Sequence, residues 1–305
     1  MHINWITSRI YRARRLAAAL VLPGMLLAGT AQAAVVSGSS SGYGISVDLS
    51  ALAGALSLSA GPLPNGAVGS APAPYSVSDS VLSLSLLDSV CVTSLPIVGC
   101  TLYVSAGVTT GLLTGDAASD VDGGSGSRFA SATGTVDDAG VNAGTGTLLN
   151  LFGTLGLGLT ATTLSSSAMV GGDYGGFTPT GSSIIEDANL NVASVGLIAL
   201  DPNAAPNTVV DPLGALSLLG LTVILNEQIS NCSAASCDMA VNALRIGFDN
   251  FAVGTALLNG DIIFGHSEAM LAAEATVVPV PAALWLFGSG LLTLVGLSRC
   301  GMRKS

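Results

Sequence analysis

Three groups of residues in this chain have types and spacings that could do chemistry, and the first is a lone imidazole. His2 lies at the very start of the sequence, whereas His266 closes the run Gly260 to His266, which reads as a strand, and is followed by Ser267 and Glu268. Seryl hydrolysis would use that histidine as base, with a serine nucleophile and a carboxylate brought from elsewhere. A strand-end histidine hydrogen-bonded across a sheet is the simpler reading. No catalytic residue is expected.

The second group is Asp116, Asp120 and Asp122, followed by Gly123-Gly124. Oxygen ligands on a glycine-rich stretch suit calcium, but the twelfth position counted from Asp116 is Ser127, so the EF-hand pattern is not completed. A solvated acidic loop is the alternative. No cofactor is expected, calcium at these aspartates being the one candidate. The third group is Cys91 with Cys100 and Cys232 with Cys237. Four cysteines allow three connectivities. The two local pairings are favoured, because each closes a short loop of turn-forming residues, Thr93 to Pro96 and Ser233 to Ser236. An oxidising compartment favours disulfides over a metal site.

Two further features invite a binding role. Sugar-binding surfaces present aromatic faces, and the central part of the chain has no tryptophan, leaving Tyr43, Tyr75 and Tyr174 as the tyrosines expected to be exposed; Tyr174 stands between glycines on a predicted loop. Arg245 is the one cation in the C-terminal strand region. If Cys232 and Cys237 pair at a hairpin tip, Leu221 to Gln228 and Met239 to Phe248 become antiparallel neighbours, with Arg245 opposite Ile224. Asn226 is then expected diagonal to Arg245 on the same face. Glu227 falls on the other face, unless a bulge shifts the register by one.

These residues need a scaffold, and the ends of the chain say where it is used. Arg9, Arg12, Arg14 and Arg15 form a basic region, Leu16 to Gly29 an apolar one, and Ala31-Gln32-Ala33 a small-residue cleavage pattern. Together they read as a secretory signal peptide over 1–33, cut after Ala33 so that Ala34 becomes the first residue. At the other end Ala282 to Leu297 gives 16 uncharged residues. As a helix they extend about 24 Å, against a hydrocarbon core of ~30 Å. Pro279 and Pro281 suit a helix start, Trp285 suits an interface, and Arg299, Arg303 and Lys304 suit the cytoplasmic side. The expectation is one transmembrane helix at 282–297 with a basic tail containing Cys300.

The run Val278-Pro279-Val280-Pro281-Ala282-Ala283-Leu284-Trp285-Leu286-Phe287-Gly288-Ser289-Gly290-Leu291-Leu292, with its basic tail, resembles the PEP-CTERM sorting signal of Gram-negative bacteria. Val280 stands where the family motif carries Glu. The resemblance implies recognition by an exosortase, a membrane cysteine protease or transpeptidase, in bacteria that make exopolysaccharide. It also implies that 277–305 is a sorting signal.

Between the two ends, 34–276 holds all nineteen acidic residues against Arg128 and Arg245. A formal charge near −17 disfavours nucleic acid and anionic lipid surfaces and favours solubility. The fold signal here is period two. Ile45, Val47 and Leu49 alternate with Ser46 and Asp48, Leu82 to Leu86 with serines, and Leu155 to Leu159 with glycines. Thr101 to Ala106, Ala188 to Ala193 and the two runs flanking Cys232 and Cys237 add further strands, while Gly115 to Gly146, rich in Gly, Ser and Asp, reads as long loops or an insertion. Roughly ten short strands predict a single all-β sandwich or barrel-like domain, with a β-solenoid as the alternative.

A second resemblance lies in this half. Ala205 to Thr208, Val223 to Gln228, Val241 to Ile246 and Gly260 to Ser267 occur in an order similar to that of the choice-of-anchor P family of bacterial surface proteins. It implies an exported domain separable from its anchor and supplies no activity. The expected partners are signal peptidase, the exosortase, the inner membrane transiently, and exopolysaccharide, with no nucleic acid. The expected destination is the cell surface or extracellular matrix, in a structural or interaction role, with a cation-assisted carbohydrate-binding module as the alternative and a hydrolase behind it.

Overall fold

In the computed structural model the described residues are 34–65, 68–95, 99–147 and 150–274, together with 287–288 and 290–291, which are helical. The chain divides into two compact units, Ala33–Glu274 and the two terminal segments together. The predicted transmembrane helix, Val278 to Pro281, Arg299, Arg303, Lys304, Ala31 and Ala33 lie outside the described residues, apart from those four helical positions. Among the described residues no helix is long and apolar enough to cross a membrane.

The larger unit is two open antiparallel sheets facing one another, a sandwich rather than a closed barrel. Sheet A is built from β1 (Ala34–Ala51), β2 (Leu56–Leu63), β3 (Val68–Ser70), β13 (Thr208–Val209), β14 (Leu221–Cys232), β15 (Ser236–Val253) and β16 (Ala256–Glu274). Its order is β13-β14-β15-β16-β1-β2, with β3 also on β1. Sheet B holds β4 (Tyr75–Val81), β5 (Leu84–Leu95), β6 (Gly99–Thr110), β7 (Leu113–Ser119), β8 (Arg128–Thr147), β9 (Asn150–Gly172), β10 (Thr178–Glu186), β11 (Asn189–Val192) and β12 (Gly196–Ala199). The long β8–β9 hairpin is its spine. One half of the spine continues through β6 to β5 and through β11 to β12; the other continues through β7 to β4 and to β10.

The segment expected as loops, Gly115 to Gly146, is therefore strand over most of its length. Its inward residues are Ala130, Ala132, Gly134 and Val136, and its outward ones Ser131, Thr133 and Thr135. Period two is present, but the small size of the inward set removes the hydropathy contrast that would announce it.

That small size has a packing reason. Stacked sheets ordinarily sit about 10 Å apart, and here they close to backbone contact at a glycine waist. A Cβ at Gly134 would overlap the carbonyl oxygens of Tyr43 and His266, one at Gly42 that of Thr133, and one at Gly44 would come within 2.7 Å of Thr135 O. The waist separates two cores. Ile45, Val47, Leu157, Leu159, Ile246 and Phe264 belong to the larger; Val35, Val121, Val170, Met239, Val241 and Leu271 belong to the smaller.

Beside the waist, sheet A breaks its own alternation in four adjacent strands at one level. Leu225 and Asn226, Ala243 and Leu244, Phe264 and Gly265, and Gly44 and Ile45 are consecutive pairs buried together. Asn226 (φ 49) and Gly265 (φ 58) take left-handed conformations there. The register is unshifted, since Leu225 pairs with Leu244 and Glu227 with Asn242. Only the faces exchange.

Candidate functional site

The exchange of faces assembles the polar cluster that holds His266. Tyr43, His266, Asn242 and Glu227 are direct cross-strand neighbours along one row of sheet A. The Tyr43 and His266 rings stack with centroids 4.5 Å apart. Asn242 donates from Nδ2 to Glu227 Oε2 at 2.6 Å, so its Oδ1 is the atom 2.6 Å from His266 Nδ1. An amide oxygen can only accept, which places the imidazole proton on Nδ1 and leaves Nε2 with the lone pair. Glu227 in turn accepts from Arg245 Nη1 at 3.3 Å, and Arg245 Nε donates to Asp261 Oδ1 at 3.1 Å.

Burial pushes the His266 pKa down to about 4, only partly opposed by the nearby Glu227 carboxylate. The imidazole is neutral at physiological pH. Tyr43 is held above its ordinary value by burial first and by the Glu268 charge second. This row is an oriented relay that fixes a tautomer. Ser267, the nearest serine in sequence, turns inward and is fully buried.

One serine motif needs separate treatment. Gly38-Ser39-Ser40-Ser41-Gly42 has the Gly-x-Ser-x-Gly spacing of a nucleophile elbow. An elbow sits on a sharp strand-to-helix turn that exposes its serine. Here the five residues are mid-strand in β1, and Ser40 is buried with its Oγ 2.8 Å from Tyr75 Oη. The spacing is therefore incidental.

The hairpin reading holds at its centre and is corrected at its edge. Cys91 is bonded to Cys100 and Cys232 to Cys237, with Cα separations of 5.6 and 4.0 Å. Ile224 lies opposite Arg245 as the register predicts. Asn226, expected beside Arg245, instead turns to donate to Ala204 O and accept from Gln228 Nε2. Glu227, expected on the other face, joins Arg245. The pleat break does what a one-residue bulge would have done, in both strands at once. No single strand signals it in sequence, since Val223-Ile224-Leu225 and Ile262-Ile263-Phe264 are apolar runs without alternation.

The three aspartates proposed for calcium are each held by a different partner. Asp116, on β7, accepts from Thr133 Oγ1 at 2.9 Å, and Asp120 accepts from the Phe129 amide at 2.6 Å. Asp122 accepts from the Gly124 amide at 2.8 Å and pairs with Arg128 at 2.7 Å. Those two contacts hold the Asp122 carboxyl below its usual pKa. Among the described residues no three His, Cys, Asp or Glu side chains converge as metal ligands. Tyr174 sits in the β9–β10 turn, 40% exposed.

No family model, curated protein or solved structure matches this chain.

Proposed function

We propose that this chain is an exported surface or extracellular-matrix protein, non-enzymatic, delivered by an exosortase acting on the segment 277–305. The observation that carries the reading is the pairing of Ala34 with Glu274. β1 and β16 are thus joined at the residue predicted to follow signal-peptide cleavage and at a residue four positions before Val278. Both ends lie at one end of sheet A. A domain of this kind can be held by one terminal segment and released by cutting it, without any strand being disturbed. The two disulfides support passage through an oxidising compartment. The acidic surface supports life as a soluble exterior module, and the burial that makes His266 a weak base supports a structural role for it.

Fractionation and mass determination test the proposal. In a strain with the exosortase, the product should appear outside the inner membrane with a mass lacking both terminal segments. Without the enzyme, a heavier membrane-bound species should accumulate. An identical species in both strains would overturn the sorting step.

A further inference from the structure

The outward face of the β4-β7-β8-β9-β10 half of sheet B is lined mainly by hydroxyls, with Ile184 and Met169 exposed among them. Cross-strand register fixes its central row as Ser78, Asp116, Thr133, Ser167 and Ser182. The row on one side runs through Ser80, Thr114, Thr135 and Ser165 to Ile184. On the other side Ser76, Ser131 and Thr180 share a row with Ala118 and Met169. Cross-strand bonds hold part of the array in place: Thr133 donates to Asp116, and Thr135 Oγ1 lies 2.8 Å from Ser165 Oγ.

Five strands at ~4.8 Å and rows about 6.7 Å apart make a platform roughly 19 Å wide and 13 Å deep. Every side chain in its central row is short, so the surface has no arm to fold over a small ligand. An aromatic edge completes it. Phe129 is 38% exposed, two residues before Ser131 on the same face, and its cross-strand neighbour is Gly171. A Cβ at Gly171 would meet only Arg128 O, at 3.9 Å, so the space beside the ring is open. Exposed Tyr174 stands in the turn just beyond.

From this juxtaposition we propose that the platform binds an uncharged polysaccharide lying flat, its ring C–H faces on Phe129 and its hydroxyls on the serine and threonine rows. The inference rests on the reading of the chain as an exported matrix protein and names what it would hold there. Charge selects the class. The rows contain Asp116 and no lysine or arginine, with Asp137 and Glu186 at the next level, so polyanions are repelled. The three rows cover about 250 Å², well short of the ~800 Å² per partner of stable protein interfaces, which argues against a protein partner. Hydroxyl contacts net little against competing water, so a monosaccharide is not retained, whereas a polymer that engages many of them at once is.

The test uses the full chain purified in mild detergent and passed over microcrystalline cellulose, cross-linked dextran and sulfated dextran beads. Retention is expected on at least one uncharged matrix, unaffected by molar salt, competed by soluble fragments of that polymer and not by glucose. Phe129→Ala and the pair Ser78→Glu with Ser182→Glu should each reduce retention by about fivefold or more, with unchanged melting. Ser46→Glu, on sheet A, should not. Equal retention by the platform variants, retention on neither uncharged matrix, or binding abolished by salt would each overturn the proposal. A doubling of mass in light scattering that the platform variants lose would also overturn it, in favour of self-association. Surface delivery of these variants should be normal. Failed retention with intact delivery sinks this inference alone, and failed delivery sinks the sorting reading without touching the bead result.

Discussion

Glu227 and Arg245 meet at 3.3 Å across β14 and β15, although strict alternation from the Ile224–Arg245 pair would put them on opposite faces. The pleat break at Asn226 in one strand and Ala243-Leu244 in the other turns both chains by one position while the register stays fixed. A buried carboxylate is thereby joined to a cation, and the same break lines up His266, Asn242 and Glu227. The ion pair and the relay are consequences of one backbone irregularity.

Replacing Arg245 by Met should destabilise the protein by about 1–3 kcal/mol, because Glu227, whose side chain is only 10% exposed, would lose its charged partner inside the sheet. Asp261 is well exposed and should contribute little to that loss. Thermal melting measures the effect, and adding Glu227→Gln to Arg245→Met should restore part of it. Melting unchanged by the single substitution would show that the pair is idle.

His266 gives a pH signature with a definite sign. Its folded pKa of about 4 lies below the ordinary 6.5, so between those values the unfolded chain binds the proton more readily. Stability should be full above pH 6.5, fall as pH drops toward 4, and level off below that. The loss is on the order of 3 kcal/mol from this one group. His266→Gln should flatten the curve in that window. A stability profile of the same shape with and without the histidine would contradict the assignment.

How much of this was legible depended on side-chain size. Ile45 to Leu49 announced itself because large apolar residues alternate with small polar ones, and Leu221 to Leu225 as a short, largely β-branched apolar run. The strands β7, β8 and β10 did not, since Ala130, Ala132 and Gly134 face inward against a close backbone, and Ser131, Thr133 and Thr135 face outward. Glycine and serine differ too little in hydropathy to reveal a face. The hairpin register at Arg245 was readable from the cysteine spacing. The face on which Glu227 lies was not, because it depends on four strands breaking pleat together, and pattern within one strand does not carry that. The hydroxyl platform was invisible for the same reason: it exists only once β4, β7, β8, β9 and β10 are aligned.

The glycine waist makes a sharp contrast between two glycines of sheet B. Gly134→Ala should cost about 3 kcal/mol or prevent folding, because its Cβ would meet the Tyr43 and His266 carbonyl oxygens, which cannot swing away. Gly158→Ala has its nearest atoms at 3.9 Å or beyond and should change stability by roughly 0.5 kcal/mol or less. Denaturant melts of the two variants, side by side, check it. Equal behaviour would mean that the sheets can separate at the waist.

Both disulfides should be found intact in exported protein. Peptides around Cys91 and Cys100 should stay linked until reduction, as should those around Cys232 and Cys237. Each short loop is worth about 2–3 kcal/mol in the chain-entropy account, so a reductant should lower the melting temperature without unfolding the protein outright. Cross-linked peptides joining the two sets would refute the pairing and the β14–β15 register with it.

The last prediction follows from where the two tryptophans lie. Trp5 precedes the predicted signal-peptide cut and Trp285 follows the predicted sorting cut, and no tryptophan occurs between them. Removal of both segments would leave a protein with tyrosine and phenylalanine as its aromatic residues, no lysine, and Arg128 and Arg245 as its cations. Its fluorescence should be tyrosine-like, and a trypsin digest should give very few peptides. Retention of the C-terminal segment alone would restore indole emission through Trp285 and add cleavage sites at Arg299, Arg303 and Lys304. Emission and digest therefore report on the same cut by independent chemistry. Matrix-extracted protein with indole emission and a peptide containing Trp285 would make the C-terminal segment a permanent anchor. That result would remove the sorting cut and leave the signal-peptide reading standing.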